Sequence, residues 1–197
     1  MASPAPARVG SLQPRDWIQA ALVRLASHGI QEIRVEVLAR DLGVSKGSFY
    51  WHFRDRADLM DKMLALWEDS ELSWLDEKRS AASTATRWAK LIERSTDHTR
   101  SRTEIAIRAW ARGDEKVAAR VSAIEKKRAN LIAEVLRDVG FAQRAADSWS
   151  EMVLLMSLGW MDRVTRGPGS ELERHSLGEL LSEMILAAST RSFGPDR

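Results

Sequence analysis

Five side chains able to donate hydrogen bonds or to stack lie within seven residues of one another: Lys46, Ser48, Tyr50, Trp51 and His52. An ammonium can donate to guanine O6/N7, hydroxyl and imidazole groups to phosphate, and an indole can pack on sugar or a thymine methyl. Together that is the chemistry of reading duplex DNA. Phe49 and Phe53, four apart, supply the buried side of the same helix. A core-only helix has no use for so many donors and aromatics on its outer face; the plainer alternative is a solvated amphipathic helix. The element before it must hold this helix outward. Leu38, Ala39 and Leu42 share a face of a first short helix, Gly43 suits its left-handed end, and Val44 adds apolar surface at the corner. Ser45 is suited to N-cap the second helix. Ala39 leaves room for two helices to cross near a right angle, and its spacing to Gly43 and Phe49 is that of a helix-turn-helix.

Residues 33–53, with the core Leu-Gly-Val-Ser-Lys-Gly-Ser-Phe-Tyr-Trp-His-Phe and the following Leu59, resemble the DNA-binding domain of the TetR family of bacterial transcriptional regulators. The resemblance covers about residues 15 to 64; the rest agrees in length and helical character alone. It implies an all-α homodimer that binds a palindromic operator and releases it when a small molecule enters the C-terminal domain, most simply a repressor. By the same resemblance Lys46 reaches a base edge or phosphate, Gly47 lets the helix tip approach the duplex, Ser48 donates to phosphate or base, and Ser45 belongs to the same DNA-binding set. Tyr50 and Trp51 lie along the backbone. His52 and Arg56 donate to phosphate, joined by Arg34 and the Val35 amide at the start of the preceding helix.

Composition is that of an ordinary globular protein, with 44% hydrophobic and 29% charged residues over 197 positions. Net charge is +2, distributed as +3 over residues 1–56 and −1 over the remainder, so the basic excess lies at the helix-turn-helix end. The absence of cysteine excludes a disulfide framework, a thiolate zinc site and a cysteine nucleophile, and suits a cytoplasmic setting. Residues 1–10 have no apolar core of a signal peptide, and no run is long enough to span a membrane. No His-x-x-x-His, Gly-x-Ser-x-Gly or phosphate-binding glycine loop occurs, so neither metal, cofactor nor catalytic residues are expected.

Periodicity predicts helices throughout, which the resemblance divides into an N-terminal three-helix helix-turn-helix domain (14–56) and a larger C-terminal helical regulatory and dimerisation domain (57–192), flanked by tails at 1–13 and 193–197. In the first helix Ile18, Ala21, Leu22 and Leu25 form the core stripe; Arg8 in the tail is a candidate minor-groove contact. Asp55 caps a helix of about twenty residues that bridges to the larger domain. A pattern on Trp88, Leu91, Ile92 and Ser95 continues to about Arg100. A short helix over 102–112 turns Ile105, Ala109 and Trp110 inward. Asp114 caps a long helix to about Val139, within which the run Glu125-Lys126-Lys127-Arg128 reads as a solvated face.

Six of the eight tryptophans lie in the larger domain. Indoles and methionines fill cores or wall apolar pockets. The expected effector pocket, for a small hydrophobic or aromatic molecule, draws on Met60, Met63, Trp67, Trp88, Trp110, Trp149, Met152 and Met156, with no charged counter-group identified. The last two helices, about 143–164 and 171–192, are apolar over much of their girth, which two-fold pairing with a second copy would cover. The interface is expected on Leu158, Gly159, Met161, Leu177, Leu181, Met184 and Ile185; the alternative is that both helices are core. A helix-turn-helix regulator without an inducer, such as an activator or one controlled by a protein partner, is the other functional reading.

Overall fold

The computed structural model describes residues 12–80, 83–166, 178, 179, 182 and 183 of the chain. Among these residues every regular element is helical. The chain divides into two compact units, Met1–Leu66 and Trp67–Arg197.

The first unit holds α1 (Pro14–His28), a 3-10 turn (Ile30–Glu32), α2 (Val35–Asp41), α3 (Lys46–Tyr50) and the first part of α4 (Arg56–Arg79). Pro14 opens α1 where its missing N–H is not needed, and the Gln13 amide donates to the Asp16 carboxylate at 2.7 Å. Gly29 ends the helix at φ 81°. The side chain that α1 buries deepest is Trp17, edge-on to Phe49 at 5.3 Å. Ile18 and Leu22 are only half-buried, whereas Ala21 and Leu25 are buried as the stripe predicts. The face thus keeps Ala21 and Leu25 but is centred toward Trp17 instead of Ile18 and Leu22, because an indole contributes more buried area than isoleucine.

The corner between α2 and α3 is closed by backbone hydrogen bonds. The Val44 amide donates to the Ala39 carbonyl at 2.9 Å and the Gly43 amide to Arg40 at 3.1 Å, the paired pattern that ends a helix in a left-handed residue. Gly43 supplies that residue at φ 70°. Ser45 takes the N-cap backbone conformation of α3, although its hydroxyl makes no cap bond. Leu38 and Ala39 are buried and Leu42 half-buried. Phe49 and Phe53 stack at 5.1 Å beneath α3, with Leu59 and Met63 of α4 also fully buried in this unit. At about 1.5–3 kcal/mol for each fully buried large side chain, this small core is what orients α3. Asp55 caps α4, its carboxylate accepting from the Asp58 amide at 2.8 Å.

The second unit contains the rest of α4, then α5 (Thr84–Thr96), α6 (His98–Ala111), α7 (Glu115–Asp138) and α8 (Gln143–Arg166). The break between α5 and α6 falls earlier than the pattern suggests, at Asp97, whose carboxylate accepts from the Arg100 amide at 3.1 Å and starts a new helix. Asp114 caps α7 as predicted, accepting from the Lys116 and Val117 amides. α7 and α8 pack along each other around Ile132, Leu136, Phe141, Ala146, Val153 and Leu154, where Ala129 and Ala133 permit close approach. Arg79 and Arg120 pin this part of α4 to α7 through paired bonds to Glu134 and Glu68.

Two expectations about inward faces are overturned. α6 buries Ser101, Glu104, Ile107 and Trp110, leaving Ile105 half-buried and Ala109 exposed. In α7 Lys126 and Lys127 are exposed, but Arg128 is buried, so the charged run is not a uniformly solvated face. Of the expected final helix, 178, 179, 182 and 183 are described and helical, while Leu177, Leu181, Met184 and Ile185 lie outside the described residues, as does Arg8. No helix among the described residues is long and apolar enough to cross a membrane.

Candidate DNA interface and a charged cavity

α3 presents its outer face to solvent. Trp51 is 88% exposed and Tyr50 56%, while Phe49 on the same short helix is fully buried. Two large aromatics held in water beside a sealed aromatic core cost free energy unless something packs on them. Gly47 and Ser45 are also exposed, and Ser48 and His52 half-buried. The Lys46 ammonium pairs with the Glu36 carboxylate of α2. This hydrogen bond holds Glu36 below, and Lys46 above, their usual ranges. Arg34 at the N-cap of α2 bonds Glu32 at 2.8 Å, and that bond lowers the Glu32 carboxyl. Val35 is buried, which limits its role to the backbone amide.

A cavity of about 50 Å³ opens within the second unit. Its apolar wall includes Trp74, Trp88, Leu91, Ile132, Val153 and Leu154, with Leu158 and Met161 alongside. The Trp88 Nε1–H donates to Ser182 Oγ at 2.8 Å, which fixes that indole. The remaining wall is polar: Ser95, Ser157, Arg94, Arg100 and Arg128. Behind the arginines lie two buried carboxylates. Glu71 of α4 accepts from Arg128 at 2.6 Å, from Arg94 at 2.5 Å and from Arg100 at 2.9 Å. Glu104 of α6 accepts from Arg128 at 2.8 and 3.0 Å and from Arg108 at 2.9 Å. Arg108 reaches on to Glu125. Arg94 also lies over the Trp74 ring, 4.4 Å from its centroid.

Burial alone would raise both carboxyls. The surrounding guanidinium groups override it and hold Glu71 and Glu104 below the usual carboxylate range. Burial likewise disfavours charge on Arg128, but Glu104 and Glu71 more than restore it. On Arg94 burial and the neighbouring Arg100 prevail, and its value is lowered.

Comparison with known proteins addresses the first unit most directly. The sequence profile of bacterial regulatory proteins of the tetR family matches residues 18–63. The chain carries a TetR-family DNA-binding domain. The tetracycline repressor protein class A from transposon 1721 of Escherichia coli is 40% identical over 52 residues. That match spans 26% of this chain and 24% of the repressor, so the likeness to that relative covers about a quarter of its length. Over nearly the whole length the fold alone is shared. A transcriptional regulator from Rhodococcus sp. Rha1 superposes with TM-score 0.72 at 21% identity, covering 90% of this chain and 97% of that one. A regulator from Saccharomonospora viridis, solved in complex with choline, gives 0.73 at 18% identity and covers 87% of this chain and 94% of that one.

Within the TetR-family domain, α3 carries Lys46, Gly47, Ser48 and Tyr50, and Trp51 and His52 follow directly at its end. Arg56 departs from its expected role. Its Nε donates to the Ile33 carbonyl at 2.5 Å and an Nη to Ile30 at 2.8 Å, so it ties α4 to the turn before α2 instead of offering itself to a phosphate. The cation presented outward nearby is Arg54, with an 85% exposed side chain 3.5 Å from Asp58. Its signal was available, a basic residue directly after the aromatic run.

The pocket expectations fare differently. Trp88 lines the cavity, and so does Trp74, which sequence reasoning passed over. Met60 and Met63 belong to the first unit, where Met63 is core. Trp67 and Trp110 are buried without lining the cavity, and Trp149 packs edge-on to Phe141 at 6.2 Å. Met152 is 48% exposed and Met156 half-buried, neither on the cavity wall. Among the expected interface residues Met161 is buried and Leu158 half-buried, both turned to the cavity, while Gly159 is exposed. The outward apolar groups of α8 are Leu155, 65% exposed, and Met152. A helix apolar on several sides does not reveal which side is which: Leu158 and Met161, expected at an interface, line the cavity, and Met152, expected in the pocket, is exposed.

Proposed function

We propose that the protein is a homodimeric repressor that binds a palindromic operator through α3 and leaves it when a small effector enters the cavity of the second unit. The observation that carries this reading is the exposure of Tyr50 and Trp51 on a helix whose other side, Phe49, is sealed in the core of a TetR-family domain. Lys46 would exchange Glu36 for a base edge or phosphate, and Arg34, Arg54, Ser48 and His52 would fix register on the backbone. Two such helices would address successive major grooves about 34–36 Å apart. Leu155 and Met152 of α8, with the final helix, would form the seam between copies.

The effector must favour the form released from DNA, because a ligand binding both forms equally shifts nothing. Glu71 of α4 is held by Arg94, Arg100 and Arg128, so a ligand that rearranges these arginines would act on α4 within the second unit. That solved relatives of this fold are regulators, one of them with a bound small molecule, supports the same reading. The test is selection of bound fragments from a random DNA pool with the purified full chain. Recovery of a palindrome with half-sites about one helical turn apart is expected; recovery of single half-sites would remove the dimer reading, and no enrichment would remove the operator reading.

A further inference from the structure

The arginine–glutamate cluster beside the cavity is not electrically balanced. Among the described residues, its members joined by ion pairs are Arg94, Arg100, Arg108 and Arg128 against Glu71, Glu104 and Glu125, one positive charge in excess. The surplus is not out in water: the Arg94, Arg100 and Arg128 side chains are 18%, 14% and 8% exposed. A buried charge without a counter-charge is costly, and proteins leave one chiefly where something is meant to answer it. The donors point to the same need. Nε–H of Arg128 and Nε–H of Arg94 are buried without an acceptor among the described residues, and both arginines line the cavity. Facing them is an apolar wall that includes Trp74, Trp88, Val153 and Leu154.

We infer that the cavity takes a compact organic carboxylate, its anionic end on Arg94 and Arg128 and its aryl or alkyl body between Trp74 and Trp88. This rests on the reading of the cavity as the effector site and sharpens the expected small apolar effector into an amphipathic anion. A single carboxylate balances the single surplus charge and offers the oxygens that guanidinium donors prefer. A neutral ligand of the same shape leaves the surplus uncompensated, and an ammonium adds to it. Burial first, and then the positive charge of Arg100, lowers Arg94 from its usual range. Because Arg94 and Arg128 both hold Glu71, the carboxylate would compete with Glu71 for the same donors, which is how its arrival would reach α4.

The test uses three near-isosteres of one body: phenylacetate, phenylacetamide and phenethylammonium, with hexanoate as a second carboxylate. Each is titrated calorimetrically into the full-length chain, and operator affinity is measured in parallel. Carboxylate binding roughly tenfold or more tighter than the amide, with no ammonium binding, is expected. Arg94→Met should abolish the preference for the carboxylate and Arg94→Lys should retain part of it, with circular dichroism confirming that each variant is folded. Equal affinity for amide and carboxylate, or no carboxylate binding at a Kd below about 1 mM, overturns the inference even if the second variant series fails to fold. Carboxylate binding that leaves operator affinity untouched keeps the anion site and removes the effector reading instead.

Discussion

Glu104→Gln removes the most buried negative charge of the arginine cluster while keeping the side chain's shape. Glu104 is 1% exposed and receives two hydrogen bonds from Arg128, at 2.8 and 3.0 Å, and two from Arg108, at 2.9 and 3.2 Å. Glutamine can accept some of these through its one carbonyl oxygen, but it leaves Arg128, 8% exposed, with Glu71 as its remaining counter-charge. Breaking a buried ion pair by removing one partner costs about 3–5 kcal/mol, and the retained carbonyl places this variant near the lower end, about 3 kcal/mol. For a chain of this size that corresponds to a drop in Tm of roughly 6–12 °C. The control is Glu125→Gln, whose side chain is 30% exposed and pairs with Arg108 alone; its loss should stay below about 1 kcal/mol. Replacing both partners, Glu104→Leu with Arg128→Met, should recover much of the cost, since it removes a neutral pair and leaves the net charge of the cluster unchanged. Urea unfolding followed by circular dichroism measures all three variants against the unsubstituted chain. A Glu104→Gln loss no larger than that of Glu125→Gln would refute the claim that this cluster is a buried electrostatic core.

Acid provides a second reading of the same groups. Glu71 and Glu104 are both held below the usual value of 4.5, so their contribution is fully present above that pH and is lost as pH falls through the lower folded values. Unfolding free energy should therefore fall below about pH 4.5 by up to about 1.4 kcal/mol per pH unit for each, and Glu104→Gln should remove one such increment from the slope. At the DNA face, Trp51→Ala, at a position 88% exposed, should change stability by no more than about 0.5 kcal/mol. The same variant should weaken operator binding by about 1–2 kcal/mol, a factor of roughly 5–30, in a gel-shift titration. Arg56→Ala should cost about 2 kcal/mol of stability by stranding the Ile30 and Ile33 carbonyls. Arg54→Ala should leave stability unchanged and reduce the salt dependence of DNA binding by about one charge; identical behaviour of the two variants would undo the distinction drawn between them.

The helix-turn-helix was legible because its determinants are local. Gly43 must adopt a left-handed conformation, Phe49 must be buried and Tyr50 and Trp51 must not, and each follows from the types of a dozen neighbouring residues. The arginine cluster was not legible for the opposite reason. Arg128 sits in a run of charges that looks solvated, and the carboxylates that bury it are 57 and 24 residues distant in the chain. Nothing near Arg128 announces Glu71 or Glu104. Trp17 was overlooked because aliphatic spacing on α1 pointed one residue further on, to Ile18, and neighbouring positions on a helix lie about 100° apart. The same angular ambiguity applies to α8, where Leu158 and Met161 turn in and Leu155 turns out. Asp97 could be read as a helix start once an acceptor for the Arg100 amide was sought, yet the apolar pattern runs across it without interruption.

The resting pair between Lys46 and Glu36 bears on selectivity of another sort. A stray polyanion drifting past would meet a tip whose cation is already engaged, and would have to displace a carboxylate to gain one phosphate contact. A duplex of the right groove shape would recover that loss by packing on Tyr50 and Trp51 in the same step. Discrimination against RNA, nucleotides and acidic proteins would then be set by shape at the threshold of encounter, before any base is read.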